Sequence, residues 1–265
     1  MLEPHQQRAS PIATRQVRRS GRPLKLPWHD GDVTDVQAVL FDFSGTLFRL
    51  EEDESWFAGM ELDLQLDDDE SRAVDGHVQA ELMRRLTAPT GRSVAMTPEA
   101  LQAWMNRDLA PHLHREAYLH VLRASGLARH HAESLYTRVI DPASWMPYLD
   151  TAAVLGGLHR RGVKVAVVSN IAFDVRPAFD RIGCAGAVDE FVLSFEVGAV
   201  KPDPAIFSTA LDRLGVPAER ALMVGDSDEA DGGARALGCD FALVDPLPTS
   251  ERPDGLVAAL VPHGL

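Results

Sequence analysis

Hydrophobic residues fall into short, nearly continuous runs at wide intervals along this chain. Residues 36–42 (Val-Gln-Ala-Val-Leu-Phe-Asp) make the first run, and Gly45 and Thr46 follow it. Residues 163–169, 190–195, 221–225 and 241–244 repeat the pattern. Runs of this length bounded by turn residues predict strands buried on both faces. Helical spacing separates them, which predicts a parallel sheet covered on each side, an α/β doubly wound architecture. One helix is punctuated at both ends: Asp203 to cap it, Pro204 at its first position and Gly215 to stop it.

Residues 48–150 follow another rule. No convincing strand is seen there. Thr97-Pro98 marks a helix start, and Leu113, Ala117 and Val121 fall on one helical stripe. This stretch reads as a helical unit inserted after the first strand. After residue 246, Pro246, Pro248 and Pro253 predict a loop before one last short apolar segment.

Composition changes this picture little. Of 265 residues, 45% are hydrophobic and 25% charged, values of an ordinary globular chain. Two cysteines, Cys184 and Cys239, cannot frame a disulfide scaffold and fit a reducing, cytoplasmic setting. No apolar run is long enough to span a membrane. Charge is more telling. The net charge is −13, yet residues 1–28 carry six bases against the single acid Glu3. Residues 1–33 read as a disordered basic arm, and the acidic body argues against nucleic-acid binding through a general basic face.

Four groups of polar residues end four predicted strands: Asp42-Phe43-Ser44-Gly45-Thr46, Ser169-Asn170, Lys201-Pro202, and Gly225-Asp226 continuing to Asp231. The carboxyl edge of an open parallel sheet is where ligands bind. Lys201 stands out, because the chain has only three lysines, at 25, 164 and 201. Paired carboxylates such as Asp42 and Asp226 suit Mg²⁺.

In order and spacing these motifs resemble the haloacid dehalogenase superfamily of hydrolases, in the branch with a helical cap. The resemblance covers residues 36–50 and 150–245. It implies a Rossmann-like core of residues 34–49 and 149–265 with strand order 5-4-1-2-3, and a cap at 50–148. It implies Mg²⁺-dependent hydrolysis of small phosphorylated metabolites, with Asp42 as nucleophile. Ser44 (backbone carbonyl), Asp42, Asp226 and Asp231 would hold the metal. Ser44, Ser169, Asn170 and Lys201 would bind phosphate, Lys201 also serving catalysis, while Thr46 orders the loop. Asp231 matches the family spacing best, and Asp228 stays open beside it.

One departure matters. Most phosphatases of this family carry a second Asp two residues after the nucleophile, and here that position is Ser44. A hydroxyl is no general acid at neutral pH, and losing such a group costs about 10²–10⁴-fold. Four readings follow. A phosphatase can use another acid, with His77, His112, His114 and His120 as cap candidates. A C–P hydrolase tolerates a small residue here, but its aldehyde-specific form needs a cap lysine, and none lies between 48 and 150. A 2-haloacid dehalogenase needs no metal, against which the Gly225-Asp226 motif argues. A catalytically weak relative would only bind a phosphorylated ligand or partner. Among cap arginines 72, 84, 85, 107, 115 and 123, and Arg49 beside the first motif, Arg49 is the nearest candidate for selecting substrate. Trp56 and Phe57 are expected in the hinge or cap core.

Overall fold

The computed structural model describes residues 26–28, 35–51, 54–57, 95–265 and a few positions between 61 and 84. Most of the expected basic arm therefore lies outside the described residues.

Five strands form one parallel sheet: β1 (Ala38–Phe41), β6 (Lys164–Ser169), β7 (Glu190–Leu193), β8 (Ala221–Gly225) and β9 (Asp240–Leu243). Their spatial order is β7-β6-β1-β8-β9, the order expected. The period-2 geometry of a strand explains the continuous apolar runs. Val39, Phe41, Val165, Val167, Leu222 and Val224 enter one hydrophobic cluster. Their neighbours Ala38, Leu40, Ala166, Val168, Ala221 and Met223 enter the other. Both faces need covering, so β1, β8 and residues 165–168 of β6 are apolar throughout.

The helices supply that cover. Val154, Leu155 and Leu158 of α4 (Thr151–Arg160), Phe179 of α5 (Arg176–Arg181), and Leu256 and Leu260 of α8 (Gly255–Leu260) pack on the first face. Ile206, Phe207, Ala210, Leu211 and Leu214 of α7 (Pro204–Leu214) pack on the second. The punctuation of α7 is as expected: Asp203 Oδ1 accepts from the Ala205 amide at 2.9 Å, and Gly215 adopts a left-handed φ of 66°. The third run is shorter than expected, because Ser194–Val197 turns into a single helical turn, α6.

Between β1 and β6 lie α1 (Pro98–Met105), α2 (Pro111–Ala124) and α3 (Arg129–Ile140). Thr97 Oγ1 accepts from the Ala100 amide, as its helix-start reading required. Ala103, Trp104, Ala117 and Val121 form a small cluster between α1 and α2. The rest of the inserted helices, together with Trp56 and Phe57, join the first face of the sheet core.

Two expectations need correction. The 48–150 stretch does hold strands. β2 (Phe48–Leu50) pairs antiparallel with β5 (Trp145–Pro147), and β3 (Glu61–Leu62) pairs with β4 (Arg72–Ala73). Two- and three-residue strands are too short to show alternation. The arm is not wholly detached either. Leu26 and Trp28 pack on the core, where Gly157 leaves room for them and Arg161 lies 5.9 Å from the Trp28 ring.

Candidate active site

Parallel register brings the strand ends level. Phe41 lies opposite both Val167 and Val224, so Asp42 emerges beside the ends of β6 and β8. Its amide donates to the Val224 carbonyl at 3.0 Å. Ser169 closes β6 and is buried, and Asp226 follows Gly225 at the end of β8. Asp231 opens the 3₁₀ turn Asp231–Leu237 beneath them.

Lys201 joins these pieces. Its Nζ lies 2.7 Å from Asp42 Oδ1 and 2.6 Å from Asp231 Oδ1. All three are buried, at 5% exposed for Lys201, 7% for Asp42 and 1% for Asp231. Burial opposes the ammonium, yet Asp231 and Asp42 more than offset it, and the Lys201 pKa is raised. Asp231 Oδ2 accepts from the Ser227 amide at 3.0 Å.

The acids outnumber the lysine. Asp42, Asp226 and Asp231 each bring a ligand oxygen within 4.8 Å of the others. Burial, then the charges of Asp42 and Asp231, push Asp226 up to about 7. Like carboxylates in one site disfavour full ionisation until a cation joins them. An all-oxygen acidic donor set fits a hard divalent ion. Asp228 takes no part in the cluster: it is exposed and paired with Arg235 at 2.7 Å. Two glycines make the packing possible. A Cβ on Gly45, at a φ of +75°, would collide with the Asp226 carboxylate, and one on Gly225 would collide with Asp231.

Other expected residues behave differently. Asn170 spends both ends of its amide on the Lys201 backbone, donating to the carbonyl at 2.9 Å and accepting from the amide at 2.7 Å. These two bonds brace the Lys201 backbone. The Thr46 hydroxyl is buried without a hydrogen-bond partner. Loop order comes instead from Arg252, which donates to the carbonyls of Gly45 at 2.7 Å, Thr46 and Asp245, and lies over the Tyr148 ring. The sequence offered no sign of Arg252, an isolated base among prolines. Arg49 turns to the C-terminal loop and donates to the Pro246 carbonyl.

The histidine candidates divide. His114 is buried against Tyr118 and Tyr136, and burial followed by the Arg107 charge holds it down at about 3. It stays neutral and cannot serve as an acid near pH 7. His112 is exposed, and His120 bonds the Ala95 carbonyl. Of the arginines, Arg115 pairs with Glu133, Arg84 with Glu81, and Arg107 stacks over Trp104 at 4.6 Å. Arg85 lies outside the described residues, as does the Arg72 side chain.

A family model described as haloacid dehalogenase-like hydrolase matches residues 36–238. The chain belongs to that family. The chain is 33% identical over 153 residues to the ribulose-1,5-bisphosphate 5-phosphatase of Halopiger xanaduensis, covering 54% of this chain and 63% of that protein. It is 34% identical over 151 residues to the phosphoserine phosphatase of Thermus thermophilus, covering 56% and 58%. It thus spans less than two thirds of these curated relatives. Its fold is similar to that of L-2-haloacid dehalogenase from Xanthobacter autotrophicus, with a TM-score of 0.57 at 24% identity over 84% of this chain and 83% of the other. No helix among the described residues is long and apolar enough to cross a membrane.

Proposed function

We propose that this chain hydrolyses small phosphate monoesters through a phosphoryl group carried on Asp42. The observation that carries the reading is the buried lysine set between two carboxylates, with a third alongside. Relatives that act on ribulose bisphosphate and phosphoserine support the phosphate-ester class.

Asp42 is the nucleophile. Lys201 holds its carboxylate in one orientation and neutralises charge that develops on the phosphoryl oxygens. Ser169, at the end of β6, donates its hydroxyl to those oxygens. Asn170 keeps the Lys201 backbone in place, and Asp231 anchors the ammonium from below. Asp42, Asp226, Asp231 and the Ser44 carbonyl would hold Mg²⁺. When bound, that ion lowers the repulsion between the Asp42 carboxylate and the phosphoryl group. The helices α1, α2 and α3 of the inserted stretch would cap a core built on the five-stranded sheet, excluding water and limiting substrates to small molecules. A cytoplasmic setting belongs to the same proposal, supported by two buried free thiols.

The test is phosphate release from a panel of phosphorylated metabolites, with Mg²⁺ and with EDTA, alongside halide release from 2-haloacids. Metal-dependent phosphate release is expected, falling at least about 10⁴-fold in Asp42→Asn. Halide release insensitive to EDTA would replace this reading with dehalogenation.

A further inference from the structure

With Ser44 two residues after Asp42, the nucleophile loop itself carries no second carboxyl at that position. Asp108 sits on the 3₁₀ turn Arg107–Leu109, between α1 and α2. That turn is stapled to the sheet edge. The Ser194 hydroxyl lies 2.5 Å from the Asp108 carbonyl and 3.0 Å from the Ile171 carbonyl, and accepts from the Ile171 amide at 2.9 Å. Ile171 follows Ser169-Asn170 directly, so the Asp108 backbone is fastened to the loop that receives phosphate.

The side chain is 16% exposed. Four charged or titratable groups surround it. Arg107 lies 3.5 Å away and is itself fixed by stacking on Trp104 and donating to the Trp104 carbonyl at 2.8 Å. Tyr118 of α2 feels the Asp108 charge from behind. From the sheet edge Lys201 and Asp42 both act on it. The Asp108 carboxyl therefore lies near enough to Lys201 and Asp42 to feel both charges, on a turn tied to the residue that follows Ser169-Asn170. Burial raises its pKa, Arg107 and Lys201 oppose, Asp42 adds to the rise, and the net shift is upward. An upward shift is the direction a carboxyl group needs to hold a proton for delivery.

We propose that Asp108 is the acid–base residue of this site, protonating the leaving oxygen and then deprotonating the attacking water. The role rests on the phosphohydrolase reading above. In the first step Asp42 Oδ bonds to phosphorus, the bond to the leaving oxygen breaks, and the Asp108 proton passes to that oxygen, giving an alcohol. In the second, water attacks the phosphoryl group and gives its proton to Asp108. The Asp42–phosphorus bond breaks, releasing inorganic phosphate and restoring both carboxyl groups. Sequence reading missed Asp108 because an Asp just past a helix end looks like any turn acid.

The experiment compares Asp108→Asn, Asp108→Glu and wild type on two substrates with Mg²⁺. One is the best alkyl phosphate from the panel, whose alkoxide needs a proton. The other is p-nitrophenyl phosphate, whose leaving group does not. For Asp108→Asn, kcat/KM on the alkyl phosphate is expected to fall about 10²–10⁴-fold. The first-turnover burst of p-nitrophenol should fall less than about tenfold, followed by slow turnover as phosphoryl-Asp42 accumulates. Wild-type kcat/KM should decline as pH rises through the Asp108 pKa, and Asp108→Asn should lack that limb. Partial recovery in Asp108→Glu, or in Asp108→Asn combined with Ser44→Asp, separates lost chemistry from lost folding. Equal losses on both substrates, or an unchanged pH profile, would overturn the Asp108 role alone. No phosphate release by wild type would overturn the hydrolase reading and this role with it.

Discussion

Two buried polar clusters among the described residues solve the same problem in opposite ways. At the sheet edge, Lys201 is almost wholly buried and keeps its charge: burial opposes the ammonium, but Asp231 and Asp42 at 2.6–2.7 Å raise its pKa. Among the inserted helices, His114 is 2% exposed and remains neutral. Its Nδ1 lies 3.1 Å from the Tyr136 hydroxyl, and its ring stacks on Tyr118 at 4.2 Å. Burial pushes every group toward its uncharged form, and only an adjacent counter-charge reverses that push. The comparison separates chemistry from architecture. A buried charge that serves only structure is often replaceable by apolar packing without loss. In the roles proposed for Asp42 and Lys201, a nucleophile and its cation are not replaceable in this way, because the reaction needs the charge.

Breaking the charged cluster should have the largest effect. Lys201→Met leaves Asp42 and Asp231 facing one another without their cation. A loss of about 3–5 kcal/mol is expected in urea unfolding at pH 7, because an unpaired buried charge costs far more than the pair gained. Adding Asp231→Asn should recover part of that loss. Additive losses would show that the two residues do not act as a unit.

The neutral cluster should reveal itself through pH. His114 titrates at about 3 when folded, against 6.5 for an ordinary imidazole. The folded protein therefore binds fewer protons than the unfolded chain between those values. Its contribution to stability is complete above 6.5 and is lost as pH falls toward 3, with a slope approaching about 1.4 kcal/mol per pH unit. His114→Phe keeps the aromatic packing and removes the titration. Its stability relative to wild type, followed by urea unfolding from pH 7 to 4, should rise as pH falls. A constant difference would mean that His114 is reached by solvent.

The smallest effect should come from charges that neither cluster contains. Arg115 and Glu133 pair at 2.5 Å on the exposed faces of α2 and α3. Water screens such pairs, so Arg115→Ala should shift thermal unfolding by less than about 1 kcal/mol, and raising salt should shrink it further.

The core strands were legible because two-sided burial forces continuous apolar runs, and no other short element combines that with polar termini at each carboxyl end. Asp42, Ser169, Lys201 and Asp226 were legible for the same reason. Each directly follows or closes a strand, or stands out by rarity, as Lys201 does among three lysines. The ribbon of β2 and β5 was not legible, since three residues cannot display a period. Nor was the docking of Leu26 and Trp28, which depends on the missing side chain of Gly157, far away in the chain.

The sequence by itself determined the parallel sheet, its order through family resemblance, and the set of residue types at its edge. Periodicity and strand-end position are local properties, carried by neighbours in the chain. Tertiary structure alone decided which acids meet. It placed Asp231 on Lys201 and sent Asp228 outward to Arg235. It committed Asn170 to the Lys201 backbone and brought Arg252 to the carbonyls of Gly45 and Thr46. It also tied the Asp108 turn of the inserted helices to the sheet edge through the Ser194 hydroxyl. Those outcomes depend on distances between segments tens to hundreds of residues apart, and folding sets such distances by packing, which no local pattern records.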